Sequence, residues 1–199
     1  MEAGLLLAAK TARLSLTSGV GESVFVLLNG SFGIGKTTTA KALVRALQGA
    51  AISDPEDVGY VLRRLPAWML GLRQQPDDYQ DLALWRRLMV YQARLVHLRA
   101  RTVIVPMTFT NLDYLDGFAS ALGQTAPVKR ICLVAPLEVI HARLEHRASA
   151  EGRAGLTAFE RRRSAECSSA HADPAFGARA DATGSRKQII ADVLALIGR

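Results

Sequence analysis

Cysteine is nearly absent from this chain: among 199 residues there are two, Cys132 and Cys167. They have no metal-ligand spacing, which argues against a cysteine-held metal and a disulfide framework and suits a reducing cytosol. Aromatic residues are also scarce, at 6%. No stretch interleaves them with basic residues, so the stacking platform of a nucleic-acid binder is missing. No apolar run approaches the length of a membrane-spanning helix. Leu5–Ala9 is too short for a strong signal core, and Glu2 stands where positive charge belongs. Peripheral association with a membrane stays open. Acidic residues are outnumbered 18 to 25 by lysine and arginine, leaving a net charge of +7. Phosphate-bearing small molecules explain that balance more economically than nucleic acid. Neither linker nor internal repeat is visible, so one α/β domain over 23–199 is expected behind an N-terminal extension, 1–22.

What is present is concentrated in one octad, Gly30-Ser31-Phe32-Gly33-Ile34-Gly35-Lys36-Thr37, which fits G-x-x-x-x-G-K-[ST] at every required position. The run 23–29 before it is apolar and rich in branched residues, as a buried strand should be. The run 38–47 after it repeats apolar residues at helical spacing. Strand, glycine loop and helix together wrap a phosphate chain. The glycines let the backbone close on the anion, and loop N–H groups and the positive helix end point at it. Lys36 reaches the β and γ phosphates, and the Thr37 hydroxyl ligates Mg²⁺. Gly30 through Thr38 are therefore the candidate nucleotide contacts, with ATP and Mg²⁺ as cofactors.

A second strand, 50–53, ends at Asp54-Pro55-Glu56-Asp57-Val58-Gly59. Strand C-termini face the ligand crevice of an open parallel sheet. Asp54 is thereby placed to accept a substrate hydroxyl proton or to hold Mg²⁺ through water. The alternative is that Asp54 or Asp57 caps a helix beginning near Val58. A long amphipathic helix is expected from Asp81 to Arg99, with Leu84, Leu88, Tyr91, Leu95 and Leu98 as its buried face. Asp81 and Arg86, near its start, are positioned to meet an acceptor.

The third strand, 102–106, is followed by Met107-Thr108-Phe109-Thr110 and not by the carboxylate that motor-type ATPases carry there. Thr108 is either a ligand contact or a helix cap. A fourth strand, 128–134, leads into a helix from Pro136 on which Arg143 and Arg147 share a face. Arg163 lies beyond a small, glycine-bearing loop at 148–155. Arginines on both sides of a mobile loop form an expected lid, supplying charge and excluding water. A short strand within 176–181 and a helix opened by Gly184 or Ser185 complete the chain. Neither N-K-x-D nor L-S-G-G-Q occurs, which disfavours a regulatory GTPase and a transporter ATPase.

This order of parts resembles the small kinase branch of the phosphate-loop fold, which includes adenylate, shikimate and gluconate kinases. Within that branch it resembles the tunicamycin-resistance protein family. The residues that carry the resemblance are Leu27 through Thr37, Asp54 through Tyr60, Tyr79-Gln80-Asp81 with Leu84-Trp85-Arg86, and Ile104 through Thr108. The resemblance implies a P-loop NTPase fold: a five-stranded parallel sheet in the order 2-3-1-4-5 with helices on both faces. It implies ATP as nucleotide and a nucleoside antibiotic such as tunicamycin, or a related metabolite, as the small-molecule partner. By analogy with chloramphenicol phosphotransferase, Asp54 matches the carboxylate that acts as base. Glu56, Tyr60, Asp81, Trp85, Arg86 and Thr108 fall within the matching segments and are the candidate acceptor contacts. The expected activity is phosphoryl transfer to a hydroxyl; sequestration of the drug without turnover is the alternative.

Overall fold

The computed structural model describes residues 23–74 and 79–198. The extension expected over 1–22 lies outside the described residues. Five strands form one parallel sheet: β1 (Val24–Gly30), β2 (Ala50–Ile52), β3 (Thr102–Met107), β4 (Val128–Val134) and β5 (Ala178–Asp181). Their order is β2-β3-β1-β4-β5, as the resemblance implied.

β1 is central because nothing in it needs water. All seven of its residues are buried, and it pairs with β3 through Val24–Asn29 and with β4 through Phe25–Gly30. Strand alternation divides its side chains between two cores. Phe25 and Leu27 enter one, with Val103, Val105 and Cys132 from the neighbouring strands. Val24, Val26 and Leu28 enter the other, with Ile104, Ile131 and Leu133. Both faces of a parallel sheet must be covered, and helices do so here.

Among the described residues, seven α-helices connect or follow the strands: α1 (Lys36–Ala46), α2 (Pro55–Arg63), α3 (Ala83–His97), α4 (Leu112–Gly123), α5 (Leu137–Ala150), α6 (Ala158–Ala170) and α7 (Arg186–Ile197). Helices α3 and α4 cover the Phe25 face through Trp85, Met89, Ala93, Leu115, Phe118 and Leu122. The Val26 face is covered by α1, α5 and α7 through Leu43, Ile140, Leu144, Ile189 and Val193. Local signals set the helix starts. Asp54 caps α2 with Pro55 at its first position, so this helix begins ahead of the expected Val58. Asn111 caps α4, while Thr157 and Ser185 form capping boxes at α6 and α7. Phe176 ends a short 3₁₀ turn, Pro174–Phe176, so the last strand begins at Ala178.

One expectation is corrected. The row Leu84, Leu88, Tyr91, Leu95, Leu98 is not the buried face of α3. Leu84 is 41% exposed, Tyr91 61%, Leu95 65% and Leu98 79%. The buried row is Trp85, Met89 and Ala93, four residues apart. The helix carries two apolar stripes. The one with a large ring, a flexible thioether and a small alanine matches the space against Phe25 and Phe109. Counting leucines could not separate them.

Candidate functional site

The carboxyl ends of β1, β2 and β3 bring three connections to one edge of the sheet. A cavity of about 660 Å³ opens there. Beside the glycine loop it is lined by Phe32, Lys36 and Thr37, with Arg147, Phe159, Arg162 and Arg163 from the α5–α6 side. The opposite half is lined by Asp54, Glu56, Gly59, Tyr60, Arg63, Tyr79, Trp85, Thr108 and Phe109.

The glycine loop has the geometry its sequence requires. Gly33 has φ +81°, and a Cβ there would lie 2.5 Å from the buried Leu144 side chain. Gly35, at the start of α1, has φ +105°. L side chains rarely adopt either conformation. Ile34 anchors the loop in the Val26 core, 2% exposed. Lys36 folds back, and its Nζ donates to the carbonyls of Gly30 (3.0 Å) and Ser31 (2.9 Å). Loss of hydration pulls the Lys36 ammonium down from 10.5 to about 8, although Glu56 and Asp54 oppose this with their charge. Thr37 is exposed at the cavity wall. Thr38 is exposed outside it, and the Ser31 hydroxyl turns instead to the Ser164 carbonyl at 3.3 Å.

Asp54 both caps α2 and faces the cavity. Its Oδ1 accepts from Glu56 N at 3.0 Å, so the capping alternative holds while the residue still lines the cavity. Partial burial pushes its pKa up, beyond what the Glu56 N–H takes back. An oxygen pair of one hydroxyl and one carboxylate is the donor chemistry Mg²⁺ takes, with water and phosphates completing the shell. Thr37 and Asp54, which line the same cavity, are of the donor type that fits that ion. Among the described residues, no group of three or more His, Cys, Asp or Glu could hold a metal by itself.

The three arginines expected to form a lid make different contacts. Arg147 lies 5.1 Å from the Phe32 ring and pairs with Glu160 at 3.0 Å. Arg163 faces the cavity and contacts Glu166 at 3.4 Å. Arg143 is not at the cavity wall. Its guanidinium donates to the carbonyls of Ile34 (3.0 Å) and Ala182 (2.6 Å), tying the glycine loop to the turn after β5. Glu160 is the hub between α5 and α6. It accepts from Thr157 N, Arg153 and Arg147 and is 6% exposed. The Thr157 N–H and then the Arg153 guanidinium hold its pKa down to about 2.

Of the acceptor candidates, Glu56, Tyr60, Trp85 and Thr108 share the cavity wall. Asp81 and Arg86 do not. Tyr114 Oη donates to Asp81 at 3.2 Å, and Arg86 stacks 4.1 Å from the Tyr114 ring while donating to the Gln80 carbonyl. Arg86 braces α3, and Asp81 the short turn before it, against Tyr114 of α4. Sequence reasoning missed Arg63, whose guanidinium lies 5.2 Å from the Tyr79 ring. It also missed Phe109, Phe159 and Arg162. No motif singles them out: α2 carries Arg63, α6 carries Phe159 and Arg162, and the connection after β3 carries Phe109.

A parallel sheet in this order, with a glycine loop after its central strand, is the kinase-like P-loop fold. The chain belongs to the AAA domain family, whose model matches residues 25–165. No curated protein sequence matches it. Among solved structures it is similar to the tunicamycin resistance protein of Deinococcus radiodurans, at 23% identity and a TM-score of 0.69. That match covers 88% of this chain and 96% of the other. It is also similar to a gluconokinase from Sinorhizobium meliloti 1021 (17% identity, TM-score 0.61, 89% and 92% covered). A shikimate kinase from Bacteroides thetaiotaomicron gives 20% identity and a TM-score of 0.54, with 88% and 99% covered. These likenesses are likenesses of fold.

Proposed function

We propose that the protein is an ATP-dependent phosphotransferase acting on a hydroxyl of a nucleoside-type antibiotic or a related small molecule. The observation that carries this reading is that Lys36, Thr37 and Asp54 line one cavity whose far half is walled by Tyr60, Tyr79, Trp85 and Phe109. Lys36 leaves the Gly30 and Ser31 carbonyls for the triphosphate, joined by the N–H groups of the glycine loop. The acceptor oxygen attacks the γ phosphorus, the bond to the bridging oxygen breaks and ADP leaves. The hydroxyl proton passes to Asp54, whose raised pKa suits a base. Arg147 and Arg163 offset charge on the transferred group, and Arg143 positions the loop beneath it. Thr37 directly, and Asp54 through water, would hold Mg²⁺, which would neutralise phosphate charge. Glu56, Tyr60, Arg63, Trp85 and Thr108 form the acceptor wall, and aromatic faces suit a base or sugar ring. Two free, buried cysteines suit a cytoplasmic setting.

The second reading is binding of the drug without turnover, with ATP as a switching ligand. It is favoured by the residue after β3, where Thr108 stands in place of a carboxylate. Incubation of protein with ATP, Mg²⁺ and tunicamycin, followed by mass spectrometry of the drug, separates the two. A phosphorylated product supports transfer; tight binding of unmodified drug supports sequestration. Lys36→Ala abolishes either outcome's dependence on ATP.

A further inference from the structure

Gly59 stands in the middle of α2 with no backbone reason to be glycine. Its φ is not positive, and it is buried at the cavity wall. Glycine inside a helix lowers stability relative to alanine. Crowding does not impose it either. A Cβ there would meet Trp85 Nε1 at 3.6 Å, an ordinary contact, and among the described residues no other atom beyond its own helix within 4 Å. The atom it faces is itself unexplained. Trp85 is 8% exposed, and its Nε1–H is buried with no hydrogen-bond partner. An indole N–H only donates, and one sealed from water without an acceptor costs free energy. The indole packs edge-on against Phe109, with 6.2 Å between ring centroids. Both residues line the cavity together with Tyr60 and Tyr79. A helix glycine that packing does not require and a donor without an acceptor therefore meet at one point of the wall.

We propose that Gly59 and Trp85 form a notch that fixes acceptor specificity: Trp85 Nε1–H donates to a carbonyl oxygen on a planar ring of the acceptor, in the space left by the missing Gly59 side chain. The proposal rests on the reading that this part of the cavity takes the acceptor. A donor-only group selects a lone pair, and the surrounding aromatic rings select a flat partner. A pyrimidine carbonyl meets both demands, and a saturated apolar group meets neither. Nε1 is covered in the free protein, so the ring enters as α2 gives way at Gly59. The new hydrogen bond then recovers the cost of the orphan donor. A ring without that oxygen leaves the donor unpaired and is rejected. A methyl group at position 59 would crowd the oxygen away from the indole. It would leave the phosphate contacts untouched, because those belong to the glycine loop and α1.

Indole ¹H–¹⁵N spectra of the full chain, saturated with a non-hydrolysable ATP analogue and Mg²⁺, read this bond directly. The chain has two tryptophans, and Trp68→Phe assigns their signals. Uridine and tunicamycin should each move the Trp85 signal downfield; adenosine, which has no ring carbonyl, should not. Gly59→Ala should suppress the shift and weaken uridine binding about tenfold, with ATP affinity unchanged and an equal or higher unfolding temperature. Trp85→Phe, which keeps a ring and loses the donor, should weaken uridine binding similarly. A Trp85 signal that stays still with both uridine and tunicamycin overturns the notch, as does wild-type uridine binding by Gly59→Ala. An equal shift with adenosine overturns the carbonyl, and a lowered unfolding temperature for Gly59→Ala shows that packing requires the glycine and overturns it equally. Transfer is scored separately. A Trp85 shift without phosphorylated drug refutes the phosphotransferase reading and leaves the notch standing, whereas phosphorylated drug without the shift does the reverse.

Discussion

Asn29 and Phe109 exchange two hydrogen bonds across the sheet: Asn29 Nδ2 donates to the Phe109 carbonyl at 3.1 Å, and Phe109 N donates to Asn29 Oδ1 at 2.9 Å. The first residue precedes the glycine loop and the second lines the cavity. Both are buried. His171 adds a third link, its Nε2 lying 2.8 Å from the same carbonyl. Burial lowers the His171 pKa, and because a carbonyl only accepts, Nε2 is the donor in that bond. The two halves of the cavity are thereby held in one register. Asn29→Ala leaves the Phe109 N–H buried without a partner. It should cost about 1–3 kcal/mol in denaturant unfolding. An unchanged midpoint would show that the link does not hold the two walls.

Gly33 is the loop position least open to change. Gly33→Ala must accommodate a positive φ and a Cβ 2.5 Å from Leu144, which is fully buried against the Val26 core. The variant should lose nucleotide binding by calorimetry and unfold at lower temperature. Gly152→Ala, with positive φ but nothing within 4 Å of its Cβ, separates strain from clash. It should show only the smaller, backbone cost and bind nucleotide normally.

Lys36 makes ATP binding sensitive to alkali. In the free protein it loses its proton at about 8, against an ordinary 10.5. A bound triphosphate favours the charged form and raises that value, so binding above pH 8 takes up a proton. Affinity is full below about 8 and falls as pH rises, by up to roughly tenfold per unit. Stability of the free protein runs the other way. The unfolded chain binds more protons between 8 and 10.5, so stability rises with pH across that window. Affinity flat from pH 7 to 9.5 would contradict the desolvated lysine.

Glu160 makes the α5–α6 clasp sensitive to acid. Its folded pKa of about 2 lies below the ordinary 4.5, so its contribution is complete above 4.5 and disappears as pH falls towards 2. Glu160→Gln keeps the shape but loses the charge facing Arg147 and Arg153. Protease cleavage within 151–157 should quicken by several-fold at neutral pH, because the loop opens more often. Equal cleavage rates would remove Glu160 as the clasp.

The two stripes of α3 give a direct contrast. Met89→Ala should destabilise by about 2–5 kcal/mol, whereas Leu95→Ala should stay within about 0.5 kcal/mol. Equal losses would restore the leucine row to the core.

Much of the fold was legible because single residues had no alternative use. Gly33 and Gly35 fit only a loop with positive φ, and the branched run before them fits only a strand buried on both faces. Asp54 read first as an active-site carboxylate and second as the cap of a helix near Val58; the structure makes it the cap of a helix that begins at Pro55, at the cavity wall. The face of α3 was not legible, because helical spacing gives the period of a stripe but not what lies opposite. Arg143 was likewise opaque. Its place on the helix gave its neighbours at three and four residues, while its partners, Ile34 and Ala182, come from distant turns. Arg63 and Phe109 reach the cavity only through tertiary packing and carry no local pattern.

The central claim concerns Asp54 as the base facing a gripped triphosphate. Its most direct test compares wild type and Asp54→Asn for ATP affinity by calorimetry and for single-turnover transfer to the acceptor found by mass spectrometry. The account predicts ATP affinity within a few-fold and transfer reduced by roughly 10²–10⁴. Transfer at the wild-type rate in Asp54→Asn would contradict it.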